Sequence, residues 1–201
     1  MSQFALFYAT NNQSKLHNMR YRLQNHPIHV FSPDDFSIHL NVEENGKTAT
    51  ENALIKAQAY YSIVKMPTIA GDSGMYIDGI PDKYQPGLFV RRVNGNVLTD
   101  DEMIEYYANL AAAQSHDCYI HYFTGIAMIT NRGAFTTTLT EVPLKLSSIP
   151  NPNRRHRGNP LDVITMLPDG KYFNDLSDTE RVSLDKVGEQ LFTDFILNHL
   201  L

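Results

Sequence analysis

A short apolar segment that runs directly into a polar turn and a helix constrains the fold of this chain most. Phe4–Ala9 reads FALFYA, a run of aromatic and aliphatic residues that is typical of a buried strand. Thr10–Ser14 (TNNQS) is rich in residues that cap helices, and a helix is predicted from Lys15 to about Leu23. Strand, turn and helix in this order indicate an α/β protein.

The same alternation continues along the chain. Thr48-Ala49-Thr50-Glu51 matches the capping-box pattern and predicts a long helix that ends near Val64. The expected core stripe of this helix consists of Ala53, Ala57, Tyr60 and Val64. Further strands are predicted at Ile28–Phe31, Thr68–Ala70, Met75–Ile80 and Leu161–Met166, and further helices at Asp100–Ala113 and Ser183–Leu200. In the last helix, Val187, Leu191 and Phe195 are expected to face the core.

A long antiparallel hairpin is predicted where Cys118–Thr130 and Ala134–Leu146 flank the turn Asn131-Arg132-Gly133. The predicted fold class is therefore α/β, with a mixed twisted sheet, flanking helices and this hairpin. We find no repeat, linker or low-complexity segment, so a single domain is predicted over residues 1–201.

Charge and cysteine content exclude several classes of protein. The net charge of −5 argues against a nucleic-acid partner, because binding to a phosphate backbone needs a basic face. Cys118 is the only cysteine, so no internal disulfide can form. The chain shows neither a signal peptide at its start nor an apolar run long enough for a membrane helix. The sequence thus predicts a cytoplasmic protein with no membrane partner.

The polar turn after the first strand is a candidate phosphate site. A helix N-terminus with free amides, hydroxyl and amide side chains and Lys15 within one turn can cradle a phosphate group. The alternative is a capped helix with a surface lysine. The glycine patterns of the P-loop and of dinucleotide-binding proteins do not occur.

Two acidic segments are candidate metal sites. Glu43-Glu44 lies beside the glycine turn at Gly46 and could offer a hard oxygen ligand to Mg²⁺, or could be a solvated loop. Gly71-Asp72-Ser73-Gly74 is predicted at the end of a strand, where α/β proteins gather their ligand sites. Asp72 could bind a metal ion or activate water there, or the segment could be a plain turn.

A basic segment precedes a further candidate carboxylate. Arg154, Arg155, His156 and Arg157 lie just before Asn159-Pro160-Leu161-Asp162, and could contact a triphosphate or form a solvated loop. The histidines show no metal-ligand spacing, and Cys118 has no evident base partner, so zinc and thiol chemistry are not predicted.

Taken in order, these segments resemble the inosine triphosphate pyrophosphatase family. Thr10–Lys15 matches its Thr/Ser-x-Asn-x-x-Lys turn, and Glu43–Ala57 matches every fixed letter of Glu-Glu-x-Gly-x-Thr-x-x-Glu-Asn-Ala-x-x-Lys-Ala. Gly71–Met75 stands where the family has Asp-Asp-Ser-Gly-Leu, and Pro86–Arg92 where it has Pro-Gly-x-Tyr-x-x-Arg. The match covers about the first half of the chain well and the last 40 residues faintly.

The resemblance implies Mg²⁺-dependent hydrolysis of inosine, xanthosine and related triphosphates to monophosphate and pyrophosphate. It also implies a homodimer and an active-site cleft between two lobes. The residues implied to bind substrate are Thr10, Asn11, Asn12, Lys15, Ser73, Asp162 and Arg181. Glu44 and Asp72 are implied as the Mg²⁺ ligands, with Asp72 and Lys15 as the catalytic pair.

The second half of the chain departs from the family pattern. The Phe-Gly-Tyr-Asp-Pro motif becomes Asn159–Val163 and keeps only Asp162, and the Ser-His-Arg motif falls at Asp185–Val187 and is lost. The preferred base is therefore left open. Two alternatives remain: a nucleotide-binding protein without turnover, and an enzyme that acts on another phosphorylated substrate.

Overall fold

The computed structural model describes residues 4–153 and 160–201. Its strands are β1 (Phe4–Tyr8), β2 (Ile28–Phe31), β3 (Thr68–Ile77), β4 (Arg92–Val93), β5 (Asn96–Val97), β6 (Cys118–Thr130), β7 (Gly133–Thr140), β8 (Leu144–Leu146) and β9 (Thr165–Met166). Its helices are α1 (Gln13–Leu23), α2 (Ala49–Val64), α3 (Asp100–Ala112), α4 (Asp178–Leu184) and α5 (Lys186–Leu200). Short 3₁₀ turns occupy Pro33–Phe36, Asp82–Tyr84, Pro160–Val163 and Phe173–Asp175.

The described residues form two compact units. The first comprises the described part of Met1–Ser73 together with Phe123–Leu139 and Lys186–Leu201. The second comprises Gly74–Tyr122 and the described part of Thr140–Asp185. Strands β3 and β6 each contribute residues to both units. The single domain expected over residues 1–201 stays a prediction.

In the first unit, a sheet has the strand order β2-β1-β3-β6, with β7 beside β6. Strand β1 runs parallel to both β2 and β3, and Tyr8 pairs with Ile69. The Ala9 N–H then donates to the Ile69 carbonyl at 2.8 Å. Parallel strands end at the same edge of a sheet, so this register places the turn after β1 level with Gly71.

The core of the first unit explains the apolar run at the start of the chain. Successive side chains of a strand point to opposite faces. Leu6 and Tyr8 pack into one buried cluster with α1 and α5, whereas Phe7 and Ala9 pack into another with α2. Because β1 is covered on both faces, each of its inner positions must be apolar.

The second unit has the strand order β3-β6-β8-β9, and the small hairpin β4-β5 is a separate sheet. Strands β6, β8 and β9 are antiparallel, with Cys118 opposite Leu146 and Leu146 opposite Thr165. The core includes Tyr107 of α3, which is 0% exposed and donates to the Val90 carbonyl at 2.8 Å. Parallel pairs in the first unit and antiparallel pairs here confirm the predicted mixed α/β fold.

Strand β3 corrects the interpretation of Gly71-Asp72-Ser73-Gly74 as a turn at a strand end. All four residues lie inside one continuous strand of ten residues, Thr68–Ile77. The pairing of β3 with β1 ends at Ile69, but β3 continues extended through these residues with β6 as its other neighbour in the sheet, so no turn forms. A Cβ on Gly71 would lie 3.6 Å from Thr124 Cγ2, an ordinary contact distance, so this position does not require glycine for space.

Three further expectations about elements are wrong. The strand predicted at Leu161–Met166 is the 3₁₀ turn Pro160–Val163 followed by the two-residue strand β9. The second arm predicted for the hairpin, Ala134–Leu146, divides into β7 and β8, and the predicted helix Ser183–Leu200 divides into α4 and α5. On α5 the core residues are Phe192 and Ile196, at 6% and 0% exposed, whereas Val187 and Leu191 are 72% and 55% exposed. The four-residue spacing was therefore assigned to the wrong face of the helix.

Helix α2 begins as the capping residues predict, with one difference. The Thr48 side chain accepts a hydrogen bond from the Glu51 N–H at 3.1 Å. In a capping box the Glu51 side chain would accept from the Thr48 N–H. Here it accepts from the N–H of the preceding residue, Lys47, at 2.6 Å. Three of the four predicted core residues, Ala53, Ala57 and Tyr60, are at most 3% exposed.

An ion pair joins α1 to α5 in the first unit. Arg22 Nε lies 2.5 Å from Glu189 Oε2, and Arg22 Nη2 donates to Glu189 Oε1 at 2.5 Å. The two side chains are 32% and 17% exposed, so water screens the pair only partly. The guanidinium also lies 5.2 Å from the centre of the Phe192 ring, one turn along α5.

Replacing Glu189 with glutamine is expected to lower the free energy of unfolding by about 2 kcal/mol, because a charged hydrogen-bonded partner of Arg22 is lost. Urea denaturation followed by circular dichroism measures this value. Asp194→Asn on the same helix is the control, since its side-chain oxygen can still accept from Gln190, and it should change stability by less than about 0.5 kcal/mol. Equal stabilities of the two variants would contradict the prediction.

Across residues 4–153 and 160–201, every helix is too short or too polar to cross a membrane.

Candidate functional site

The turn after β1 is held by its own side chains. Asn12 is the N-cap of α1, and its Oδ1 accepts from the Ser14 and Lys15 N–H groups at 2.9 and 3.1 Å. The Asn12 N–H in turn donates to Thr10 Oγ1 at 3.2 Å. The sequence predicted free amides for a phosphate here, but the cap engages two of them. Binding of an anion at this turn therefore depends on side chains.

These side chains line a polar cavity in the first unit. Its volume is about 360 Å³, which is within the usual range for small-molecule sites. Three segments and one helix face form the wall. The lining residues are Ala9, Thr10, Asn11, Asn12, Lys15, Leu40, Asn41, Val42, Glu44, Lys56, Tyr60 and Gly71.

One face of α2 supplies much of the cavity and of its surroundings. Asn52, Lys56 and Tyr60 follow one another at four-residue steps, so they project from the same side of the helix. Lys56 Nζ lies 2.8 Å from Glu44 Oε1 and donates to the Gly71 carbonyl at 3.4 Å. Lys56 thus joins the acidic loop before α2 to strand β3.

Asn52 orients the carboxylate of Asp72. Its Nδ2 donates to Asp72 Oδ2 at 2.9 Å, and its Oδ1 accepts from the Gly46 N–H at 2.8 Å. Asn52 is only 5% exposed, so both bonds lie in a poorly solvated place and hold their geometry. Next to Asp72 on β3, Ser73 Oγ lies 2.9 Å from Thr124 Oγ1.

The structure brings together most of the residues that the sequence singled out in the first unit. Lys15 and Glu44 line the same cavity as Thr10, Asn11 and Asn12. Asp72 follows Gly71, which also lines this cavity, and lies beside Asn52. The roles assigned to these side chains stay predictions.

Asn41, Asn52, Lys56 and Tyr60 were given no role in the site from the sequence, although Tyr60 was predicted for the core and Asn52 and Lys56 are fixed letters of the matched family motif. The four-residue spacing of the last three along a predicted helix was the available signal for them. The position of Asn41 depends on a loop and gave no such signal.

Asp162 and Arg181 lie in the second unit and contact each other. Arg181 Nη1 donates to Asp162 Oδ2 at 3.0 Å, and both side chains are about 15% exposed. The guanidinium also donates to the carbonyls of Phe173 and Leu176 at 3.2 and 3.4 Å and lies 4.4 Å from the centre of the Phe173 ring. Their substrate-binding role stays a prediction. The basic residues at 154–157 and Asn159 lie outside the described residues.

The donor set of the cavity fits Mg²⁺ only together with a bound phosphate. In the described part of the chain, no three His, Cys, Asp or Glu side chains are close enough to form a metal site by themselves. Mg²⁺ commonly takes one or two carboxylates and completes its shell with phosphate oxygens and water. Glu44 Oε1 is paired with the Lys56 ammonium group at 2.8 Å, so a metal ion at this carboxylate would have to share it with that group, which a bound phosphate can draw away.

The fold is α/β, and its parallel strands end at a cavity lined by two lysines and a carboxylate. The chain belongs to the Ham1 family, because the model of that family matches residues 6–186. No member-specific activity follows from this match alone.

Relatives and solved structures agree with the assignment. A dITP/XTP pyrophosphatase of Leptospira interrogans is 36% identical over 96 residues, which are 48% of this chain and 48% of that protein. One of Geobacter sulfurreducens is 38% identical over 96 residues, 48% and 47% of the two chains. The matched part thus spans about half the length of these curated relatives. A HAM1 protein from Coxiella burnetii has a TM-score of 0.75 at 23% identity, covering 98% of this chain and all of that one, and so shows the fold.

Proposed function

We propose that this protein hydrolyses nucleoside triphosphates to nucleoside monophosphate and pyrophosphate with the help of Mg²⁺. The observation that carries the proposal is one cavity lined by Lys15, Lys56 and Glu44, with Asp72 next in sequence to a lining residue. Two ammonium groups suit a triphosphate chain, and two carboxylates suit the metal ion that accompanies it. The names of the relatives agree with a triphosphate substrate.

In the proposed reaction, a water oxygen bonds to the α-phosphorus and the bond from this phosphorus to the α,β-bridging oxygen breaks. Asp72 accepts the proton of the water, and Asn52 holds the Asp72 carboxylate in orientation. Lys15 and Lys56 neutralise the charge that develops on the departing pyrophosphate. Glu44 and Asp72 would hold Mg²⁺, which when bound supplies further neutralisation of the phosphate oxygens.

The range of bases that we propose for the substrate is wider than the one that the names of the relatives state. dITP and XTP are the first substrates to test, because relatives are named for them. The motifs that read the base in the family are altered in this sequence, so we propose a relaxed preference. A homodimer, which the resemblance implies, and a cytoplasmic location, which the sequence predicts, remain proposals; light scattering after gel filtration tests the first.

A panel of natural and deaminated triphosphates with excess Mg²⁺ tests the proposal. We expect monophosphate and pyrophosphate in equal amounts, and EDTA should reduce the rate at least about a hundredfold, because metal neutralisation contributes several kcal/mol to the transition state. Ion-exchange chromatography identifies the products. Diphosphate with phosphate would indicate a different cleavage, and absence of pyrophosphate from every nucleotide would refute the proposal. Restoration of the rate by added Mg²⁺ is the control for EDTA.

A further inference from the structure

One side-chain amide, that of Asn52 on α2, joins the acidic loop before this helix to strand β3. Its Oδ1 accepts from the Gly46 N–H at 2.8 Å, and its Nδ2 donates to Asp72 Oδ2 at 2.9 Å. A backbone N–H can only donate, and a carboxylate can only accept. The two partners therefore fix which end of the amide faces Asp72, because the reverse orientation would bring two acceptors together at one end and two donors at the other.

Gly46 lies too close to the first turn of α2 for any side chain. A Cβ on Gly46 would lie 2.7 Å from Asn52 Oδ1 and 2.7 Å from Glu51 Cβ, whereas ordinary contacts begin at 3.4 Å. Its φ angle lies outside the left-handed region, so lack of space, and not backbone strain, excludes a side chain here. Glycine is thus what lets this backbone N–H approach the buried amide.

The residues after Gly46 keep the loop at this place. The Lys47 N–H donates to Glu51 Oε2 at 2.6 Å, and the Glu51 N–H donates to Thr48 Oγ1 at 3.1 Å. Asn52 is only 5% exposed, so water competes little for its two hydrogen bonds. A buried amide that is bonded at both ends, with its loop partner held in this way, has one stable position.

We infer that Gly46 is a positioning residue for Asp72, which it holds in orientation through the Asn52 amide. The inference rests on the function proposed above, in which Asp72 accepts the proton of water, and extends that site to a residue without a side chain. When the Gly46 bond is lost, the Asn52 amide can turn its oxygen towards Asp72, where two acceptors repel each other. The carboxylate then leaves the orientation in which it meets the attacking water.

Gly46→Ala tests the inference, because the added Cβ pushes the loop away from the Asn52 amide by several tenths of an ångström. We expect kcat to fall about thirtyfold and KM for the triphosphate to change less than about threefold, because Asp72 acts in the chemical step and the lysines of the cavity are unchanged. Asn45→Ala is the matched control, since Asn45 is an exposed residue of the same loop. It should keep both constants within about twofold.

Nuclear magnetic resonance reads the two hydrogen bonds without turnover. In the unchanged protein, the Gly46 N–H should exchange with solvent at least about tenfold more slowly than in Asn52→Ala, which lacks its acceptor. In Gly46→Ala, the side-chain N–H signals of Asn52 should shift from their positions in the unchanged protein, whereas Asn45→Ala should leave them in place. The exchange comparison does not depend on the folding of Gly46→Ala.

These outcomes separate failure of the inference from failure of the proposed function. Absence of pyrophosphate release from the unchanged protein would refute the proposed function, whatever the exchange rates. If the unchanged protein turns over and a folded Gly46→Ala protein retains kcat within about twofold, the inference alone is overturned. Equal exchange of the Gly46 N–H in the unchanged protein and in Asn52→Ala would also overturn it, as would a higher KM at unchanged kcat.

A double variant tests whether Gly46 acts through Asn52. If it does, adding Gly46→Ala to Asn52→Ala should lower kcat by less than about a further twofold, because the amide that Gly46 holds is already absent. A larger further loss would show that Gly46 acts by another route and would overturn the inference.

Discussion

Replacing Asp72 with asparagine is expected to lower kcat for pyrophosphate release about a thousandfold, the usual contribution of a positioned general base. The amide has nearly the same shape as the carboxylate, so its oxygen can still accept from Asn52 Nδ2, which lies 2.9 Å from Asp72 Oδ2. It cannot accept a proton from water, and it is a poorer ligand for Mg²⁺ than a carboxylate. The fold should therefore persist while the chemistry is lost.

The measurement is kcat at saturating triphosphate and Mg²⁺, with thermal unfolding followed by circular dichroism to check the fold. Asp82→Asn is the matched control, because Asp82 is an exposed residue in a 3₁₀ turn of the second unit. It should retain the rate of the unchanged protein within about twofold. A folded Asp72→Asn protein with more than about a tenth of this rate would contradict the role of Asp72 as base.

Gly125→Ala is expected to have the largest effect on stability, about 3 kcal/mol or more, because overpacking a rigid contact is costly. A Cβ on Gly125 would lie 2.2 Å from the Thr50 N atom and 2.3 Å from the Ala49 carbonyl carbon. Both atoms belong to the backbone of the first turn of α2, so no side chain can swing aside. The helix itself must move.

This movement should also reach the cavity. Helix α2 carries Asn52 and Lys56, which contact Asp72, Glu44 and the Gly71 carbonyl. A displacement of about 1 Å in such positioning groups can reduce a rate about a hundredfold. We therefore expect kcat/KM of Gly125→Ala to fall by about that factor at a temperature where the protein remains folded.

Gly71→Ala is the control for stability, since the nearest atoms to its Cβ would be Thr124 Cγ2 at 3.6 Å and the Gly125 carbonyl oxygen at 3.7 Å. These are ordinary contact distances, and the free energy of unfolding should change by less than about 1 kcal/mol. Urea denaturation of both variants provides the comparison. If Gly125→Ala were as stable as Gly71→Ala, the close packing of α2 against β6 would be refuted.

These results would establish α2 as the element on which the site is built. The helix packs its small residues Ala53 and Ala57 into the core and turns Asn52, Lys56 and Tyr60 towards the acidic loop, β3 and the turn after β1. A helix is a more rigid support than a loop, so groups on one face keep their spacing. Gly125 lies very close to the first turn of α2, and this contact fixes the position of the helix and of the face that carries Asn52 and Lys56.

Local sequence determined the elements whose formation depends on neighbouring residues. The apolar run at Phe4–Ala9 predicted a buried strand, and Thr48 predicted the start of α2, because burial on two faces and N-capping are set within a few residues. The mixed α/β class followed from the order of these elements. The resemblance to the inosine triphosphate pyrophosphatase family implied that Lys15, Glu44 and Asp72 belong to one site, and the structure places the first two in one cavity.

Only the tertiary structure decided which side chains face one another. The sequence predicted two strands separated at the glycines of Thr68–Ile77, but the backbone stays extended through Asp72 in one strand beside β6. Val187, Leu191 and Phe195 were predicted for the core of α5, whereas packing within the first unit buries Phe192 and Ile196, and only Phe195 of the predicted residues packs against that core. The two hydrogen bonds of Asn52 join Gly46 to Asp72 of β3, which lie far apart in the chain. Such contacts arise from how folded segments pack in space, and local propensity carries no information about them.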